Sequence, residues 1–227
     1  IMAGFSSRGA NRAIDIISPN VSAPGVDIIA AAGTSTGPGA TSIWDFNSGT
    51  SMASPHVAGA GALLMQLNPT WTPAEIQSAL MLTGETTMLK EDGSTAADPF
   101  DMGSGRIQVD IADETGLVLD ESGSNYLAAD PASGGDPTTL NLPSMANSQC
   151  VVECEWTRTV TATADASWTV TTSAEGGVVL DVSPSSFSLT TGGTQVLTIT
   201  ADVTGAASDV WAFGEVTLSA AGLPDAN

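Results

Sequence analysis

The sequence predicts an α/β segment followed by an all-β sandwich, and three observations carry that expectation. Up to about residue 125, short apolar runs alternate with helix-period patterns separated by glycine-rich loops. From about residue 138 the chain becomes a series of short Thr- and Val-rich runs at roughly regular spacing. Between them, "AADPASGGDP" at 128–137 reads as a Pro/Gly/Ser-rich linker. The expected boundaries are 1–127, 128–137 and 138–227.

In the first part, "NVSAPG", "VDIIAA" and "SIWDF" read as short buried strands, with the loop "GTSTGPGA" among them. Residues 51–67 read as a helix. A second helix opens at Thr72-Pro73-Ala74-Glu75, with threonine as N-cap, proline first in the helix and glutamate three after the cap. Ile76, Ala79 and Leu80 give it one apolar face, and it ends near Gly84. In the second part, "TRTVTAT", "SWTVTTS", "VVLDV", "SFSLTT", "QVLTITAD" and "FGEVTLS" read as six strands punctuated by Gly176-Gly177, Ser183-Pro184 and Gly192-Gly193. Phe187 and Leu189 share one face, as do Leu197 and Ile199, which is the alternation a sandwich needs.

The chain has 227 residues with 42% hydrophobic content, enough for a sizeable core. Five basic against 25 acidic residues give a net charge of -20. Such a chain has no basic stripe to neutralise phosphates, so nucleic acid and anionic membrane surfaces are poor partners. The charges are spread singly, as on a solvated acidic face. No apolar run is long enough to span a membrane. The opening "IMAGFSSRG" reads as structure already under way, so the absence of a visible signal peptide says nothing about secretion.

Cys150 and Cys154 are the two cysteines, and no CxxC or Cys/His set suggests zinc. A disulfide needs Cα atoms roughly 4.4–6.8 Å apart. Four steps of extended chain would hold them about 13 Å apart. If they are bonded, 150–154 is a turn and the next strand starts after Cys154; free thiols are the alternative. A bond would imply an oxidising compartment.

The chemistry concentrates in "FNSGTSMASPHVAGAGALL", residues 46–64. A nucleophilic serine needs exposure, donors for an oxyanion and a nearby base. Gly49 permits a tight turn ahead of Ser51, and a serine at a helix start has unpaired N–H groups and the positive dipole end beside it. Ala58, Gly59, Ala60, Gly61 and Ala62 are not there for helix propensity, since glycine costs about 1 kcal/mol against alanine. They fit a helix packed closely on all sides. The bland alternative is that Ser51 only caps a buried helix.

"SGTSMASPHVAGAGALL" resembles the nucleophile segment of the subtilisin-like serine proteases, the subtilases, almost residue for residue. "FSSRGAN" and "SAPGVDIIAA" before it, and "NPTWTPAEIQSALMLTG" and "DPFDMGSGRI" after it, resemble that family in the same order. The longer run through "GLVLD" is similar to the larger, cucumisin-type plant enzymes, and the likeness covers about residues 3–125. "LNLPSMAN" and the strands after it resemble the fibronectin type III-like domain that follows the catalytic domain there. The resemblance implies the C-terminal part of a three-layer parallel-sheet domain, then that sandwich. It implies a serine endopeptidase acting on proteins or peptides through an acyl-enzyme, secreted to the extracellular space. Ser51 would be the nucleophile, its N–H one oxyanion donor, the Thr50 hydroxyl a helper, and Gly49 and Ser48 the acyl-binding side. The triad logic is that of subtilisin itself, carried over with the likeness.

His56 is the only histidine and a tempting base. Five residues along a helix put it about 140° round and more than a turn away from Ser51, so it reads as a packing residue of the buried helix. The resemblance implies that the catalytic aspartate, histidine and oxyanion asparagine lie N-terminal to "FSSRG", and none of the 50 residues before Ser51 matches those motifs. The chain therefore reads as a segment cut at both ends, inactive alone, or alternatively as a fragment serving as a binding or adhesion module. A sedolisin-type carboxyl-serine peptidase shares "GTS", but Met52 and "SPHVAG" favour the subtilisin branch. No cofactor is needed for this chemistry. Structural calcium is common in the family, but no EF-hand spacing occurs and no metal ligand is assigned; Asp98, Asp101 and Asp110 read equally as loop caps.

Overall fold

In the computed structural model, residues 1–11, 13–31 and 44–227 are described. The loop 33–40 and the start of the "SIWDF" run lie outside the described residues. Ile28–Ala31 (β1) and Trp44–Asn47 (β2) pair antiparallel, with Ile28 opposite Asn47. Their expected burial is not found: Ile29, Trp44 and Phe46 are 58%, 55% and 64% exposed, because no described layer covers the ribbon. "NVSAPG" is not a strand either; Ser22 makes a single parallel bridge to Arg106, and the chain bends at Val26-Asp27. No parallel sheet forms among the described residues. Parallel neighbours need a crossover between them. Here both long helices follow β2, and the next strand joins another sheet.

Helix α1 spans Thr50–Leu67 and α2 spans Pro73–Leu82. The capping box of α2 is as expected: Glu75 N donates to Thr72 Oγ1 at 3.1 Å and Thr72 N donates to Glu75 Oε2 at 2.7 Å. Ile76, Ala79 and Leu80 are buried against Ala60 and Leu64 of α1 and Ile107, Ala112 and Val118 beyond. The sequence predicts one apolar face on α2, but Leu82 belongs to a second core, that of the sandwich. α1 also departs from expectation. Ala60 and Leu64 are its buried residues, and a Cβ on Gly59 would meet nothing within 4 Å. Among the described elements, α2 and α4 (Val109–Asp113) pack on α1; Ala60 lies buried under them, whereas Ala58, Gly59 and Ala62 are exposed rather than closely packed.

All six expected strands form. Glu153–Ala162 (β4), Ala166–Ala174 (β5), Val179–Ser183 (β6), Ser186–Leu189 (β7), Thr194–Asp202 (β8) and Gly214–Ala220 (β9) make two antiparallel sheets. One of these is β7-β5-β9, and the other is β3-β4-β8-β6. Its first strand, Leu117–Val118 (β3), comes from the helical half and pairs with Ala162 and Thr161. The core between the sheets joins Leu117 and Leu119 to Val160, Trp168, Leu197, Ile199 and Leu218, with Trp168 stacked on Phe187 at 5.6 Å. The chain end closes the same seam, where Asn227 N donates to Leu82 O at 2.8 Å. The two halves thus share a core.

Residues 128–137 carry 3-10 turns at Pro131–Ser133 and Pro137–Thr139, each capped by the aspartate before it. Arg158 of β4 holds the segment that follows, from Thr138 to Ser144. Its buried guanidinium and Nε donate to the carbonyls of Leu142 at 2.6 Å, Thr157 at 2.9 Å, Thr138 at 3.2 Å and Ser144 at 3.3 Å. Burial pushes its pKa down to about 10, so it stays charged through the neutral range.

Cys150 and Cys154 form a local disulfide, their Cα atoms 5.6 Å apart. The turn closes at Val152, whose φ of 67° is rare for a β-branched residue. The strand does not wait for Cys154, as the sequence predicts; β4 begins at Glu153, whose N–H already donates to Val151 O at 2.8 Å.

Candidate active site

Ser51 is exposed and is the second residue of α1. It does not cap the helix: Gly49 holds the N-cap position with no side-chain cap bond, and Met52 N donates to Gly49 O at 3.0 Å. Gly49 has φ 155° and ψ 165°, a conformation that side chains rarely adopt. No acidic residue sits in the first turn, so no side chain of the helix itself offsets the positive end of this 18-residue helix next to Ser51. Pro55 lies deeper than its nearness to the start suggests. As the sixth helical residue, it removes the N–H that would have met the Ser51 carbonyl.

The turn is held from the other side. Gly49 N donates to Gly25 O at 2.8 Å, Asp27 N donates to Ser48 Oγ at 2.8 Å, and that hydroxyl also reaches Asp27 Oδ1 at 3.3 Å. Ser48 is therefore tied to the 25–27 bend, and Asp27 takes φ 51° there. Sequence reasoning missed Gly25, although the Pro24-Gly25 pair was a turn signal. A Cβ on Gly25 would lie 2.8 Å from Gly49 O and 3.3 Å from Ala53 Cβ. Gly25→Ala should shift the serine turn and lower stability by about 1–3 kcal/mol, readable as a fall in denaturation midpoint and as altered amide shifts of residues 48–52 by NMR.

His56 is exposed, and its Nδ1–H donates to Met52 O at 2.8 Å on its own helix. The ring is engaged one turn back and is not joined to Ser51. The expected burial of this histidine is corrected: it stands exposed, although Ala60 one turn further on is buried.

A cleft of about 790 Å³ adjoins the turn, lined by Phe5, Arg8, Gly9, Gly25, Gly49 and Thr50 among others, with Ser51 just outside it. One wall is fixed by charge. Asp101 is buried, receives Arg8 Nε at 3.0 Å and Lys90 Nζ at 3.0 Å, and accepts the Asp98 N–H at 3.0 Å. Arg8 also pairs with Glu91, and Lys90 with Asp98 at 2.9 Å. Asp98 is the N-cap of α3 (Pro99–Met102), with Asp101 its capping-box partner, whereas Asp110 lies in the first turn of α4. Burial alone pushes the Asp101 carboxyl up, but the Asp98 N–H, Lys90 and Arg8 outweigh it and the net shift is down. A carboxylate whose folded pKa is depressed stabilises the fold above its unfolded value of about 3.9, and that contribution is lost as pH falls through the folded value. Asp101→Asn should cost about 3 kcal/mol at pH 7, the low end for a broken buried pair because Arg8 and Lys90 keep some solvent contact. Denaturant titrations from pH 7 to pH 2 should show the gap to wild type closing below about pH 4.

Among the described residues, no group of three or more His, Cys, Asp or Glu side chains is arranged to hold a metal ion, and no helix is long and apolar enough to cross a membrane.

Comparison with known proteins places family matches on both halves of the chain. Residues 1–105 match the subtilase family, and residues 139–223 match a fibronectin type-III domain. The first half of this chain is a subtilase segment. The subtilisin-like protease SBT5.4 of Arabidopsis thaliana is 39% identical over 153 residues, covering 62% of this chain and 20% of its own length. From the same plant, SBT2.5 is 32% identical over 257 residues, covering 94% of this chain and 31% of its own, and SBT1.7 is 35% identical over 223 residues, covering 81% and 29%. The chain thus spans between a fifth and a third of the length of these curated relatives. Among solved structures, the cupredoxin domain of amoB from Nitrosocaldus yellowstonii has a TM-score of 0.25 at 12% identity over 45% of this chain and 57% of its own, too slight a likeness to speak to fold. The subtilase match includes the serine turn, the 25–27 bend that braces it and the Arg8–Asp101 wall, and the fibronectin match includes all six strands β4 to β9.

Proposed function

We propose that the whole protein is a secreted serine endopeptidase and that this segment supplies its nucleophile, Ser51. The observation that carries the reading is the exposed hydroxyl at the second position of a helix with no acidic residue in its first turn, directly after a glycine turn. In acyl transfer, the Ser51 oxygen attacks a peptide carbonyl, and negative charge develops on the carbonyl oxygen beside the N–H groups at the start of the helix. The Ser51 N–H is one donor, Thr50 assists, and Gly49 and Ser48 form the acyl-binding side. His56 is occupied by the Met52 carbonyl and takes no proton from Ser51.

The base and its aspartate are supplied by parts of the protein other than these residues, as is the remaining oxyanion donor. The same parts complete a three-layer parallel sheet, which covers α1 and the β1-β2 ribbon and gives the exposed Ala58, Gly59 and Ala62 of α1 the packing they lack in this chain. The substrate is a protein or peptide; the chain's charge of -20 disfavours nucleic acid. No cofactor enters the chemistry, and calcium, where bound, is structural. The local disulfide fits an oxidising extracellular setting. A fluorophosphonate probe tests the reading: the complete protein should be labelled at Ser51, and labelling elsewhere, or none, overturns it.

A further inference from the structure

The loop from β8 to β9 ends in Trp211-Ala212-Phe213. Trp211 and Phe213 each meet Phe100 edge-on, with centroids 5.1 Å apart and interplanar angles of 85° and 78°. Edge-to-face pairs are favourable, and two on one ring fix its position from both sides. The loop is anchored to the sandwich. Glu175 N donates to Phe213 O at 3.0 Å, and Thr204 N donates to Asp202 Oδ1 at 2.8 Å. Gly176 and Gly177, both at positive φ, bring the neighbouring turn against it: a Cβ on Gly176 would lie 3.0 Å from Ala212 Cβ, and one on Gly177 would lie 2.2 Å from Gly205 O.

Phe100 stands between this loop and the cleft. Its carbonyl accepts the Gly9 N–H at 3.1 Å, and its neighbour Asp101 holds Arg8. Arg8, Gly9 and Asp101 line the same cleft as Gly49 and Thr50. Gly9 is confined from behind as well, since a Cβ there would lie 2.5 Å from Ser18 O.

We propose that residues 203–213 of the sandwich are a positioning loop for the cleft beside Ser51, with Trp211 and Phe213 acting through Phe100 on Arg8 and Gly9. The sandwich thereby sets the wall against which a peptide substrate lies; that last clause rests on the endopeptidase reading above, whereas the hold on the wall does not.

Amide hydrogen exchange in the 227-residue chain tests the hold directly. In Trp211→Ala the Gly9 N–H should exchange about tenfold faster, while the Leu197 and Ile199 amides of β8 keep their rates. Trp211→Phe, which keeps a ring edge against Phe100, should restore Gly9. An unchanged Gly9 rate overturns the proposal, as does an acceleration shared equally by Leu197 and Ile199, which would report only global loosening. In the complete protein, Trp211→Ala should raise KM for a peptide substrate severalfold with kcat unchanged. A loosened Gly9 with an unmoved KM overturns the role toward substrate, whereas failure of the endopeptidase reading would show separately, as activity that survives loss of the Ser51 hydroxyl.

Discussion

In the complete protein, Ser51→Ala should lower kcat by a factor on the order of 10⁶, a magnitude carried over from subtilisin itself, and leave the fold intact. The two effects separate because of where the residue stands. The side chain is exposed, it caps nothing, and alanine is the best helix former for a second helical position. Stability should therefore stay within about 0.5 kcal/mol of wild type. Paired measurements of single-turnover rate and denaturation midpoint check this. A variant that unfolds would assign the hydroxyl a structural role, and one that keeps turnover would move the nucleophile elsewhere. His56→Ala is the control. It loses one exposed hydrogen bond to Met52 O, worth about 0.5–1 kcal/mol, and should keep its activity apart from that small change in stability. A loss comparable to that of Ser51→Ala would require the triad to be redrawn.

The largest effect on stability is expected at Trp168. It is 2% exposed, stacks on Phe187 and lies in the core that joins the two sheets. Truncation of such a side chain costs about 3–5 kcal/mol, and Trp168→Ala should fall within that range by urea titration. The wider consequence concerns the helical half. Leu82 of α2 and Leu117 of β3 sit in the same core, and Trp168 reaches the Gly116 backbone closely enough that a Cβ there would lie 3.3 Å from its ring. The transition should therefore remain single, with the helix signal of α1 and α2 lost together with the sandwich. Two separated transitions, with only the sandwich destabilised, would show that the halves fold independently despite the shared core.

Local signals determined much of what the sequence made legible. The α2 capping box depends on residues three apart, so Thr72, Pro73 and Glu75 announce it without any knowledge of the rest of the chain. The six sandwich strands are legible for the same reason, because period-two alternation and glycine turns are properties of short windows. The serine turn was legible through its string of residues, Gly49-Thr50-Ser51-Met52. The disulfide was legible only as one of two alternatives, the reach of four peptide steps saying no more than that a bond would need a turn.

Long-range contacts decided the rest. Gly25, which braces Gly49, lies 24 positions before it, and nothing in either window records the meeting. Asp101 reads as one more loop carboxylate until folding brings Arg8 and Lys90 to it. Leu117–Val118 are too short to announce a strand, and only pairing with β4 makes them one. Many apolar and small residues of β1, β2 and α1, among them Ile29, Trp44, Phe46, Ala58 and Gly59, carry the pattern of buried elements yet stand exposed in this chain. A hydrophobic pattern records that a face favours burial; which atoms cover that face is decided by tertiary contacts that no window of sequence contains.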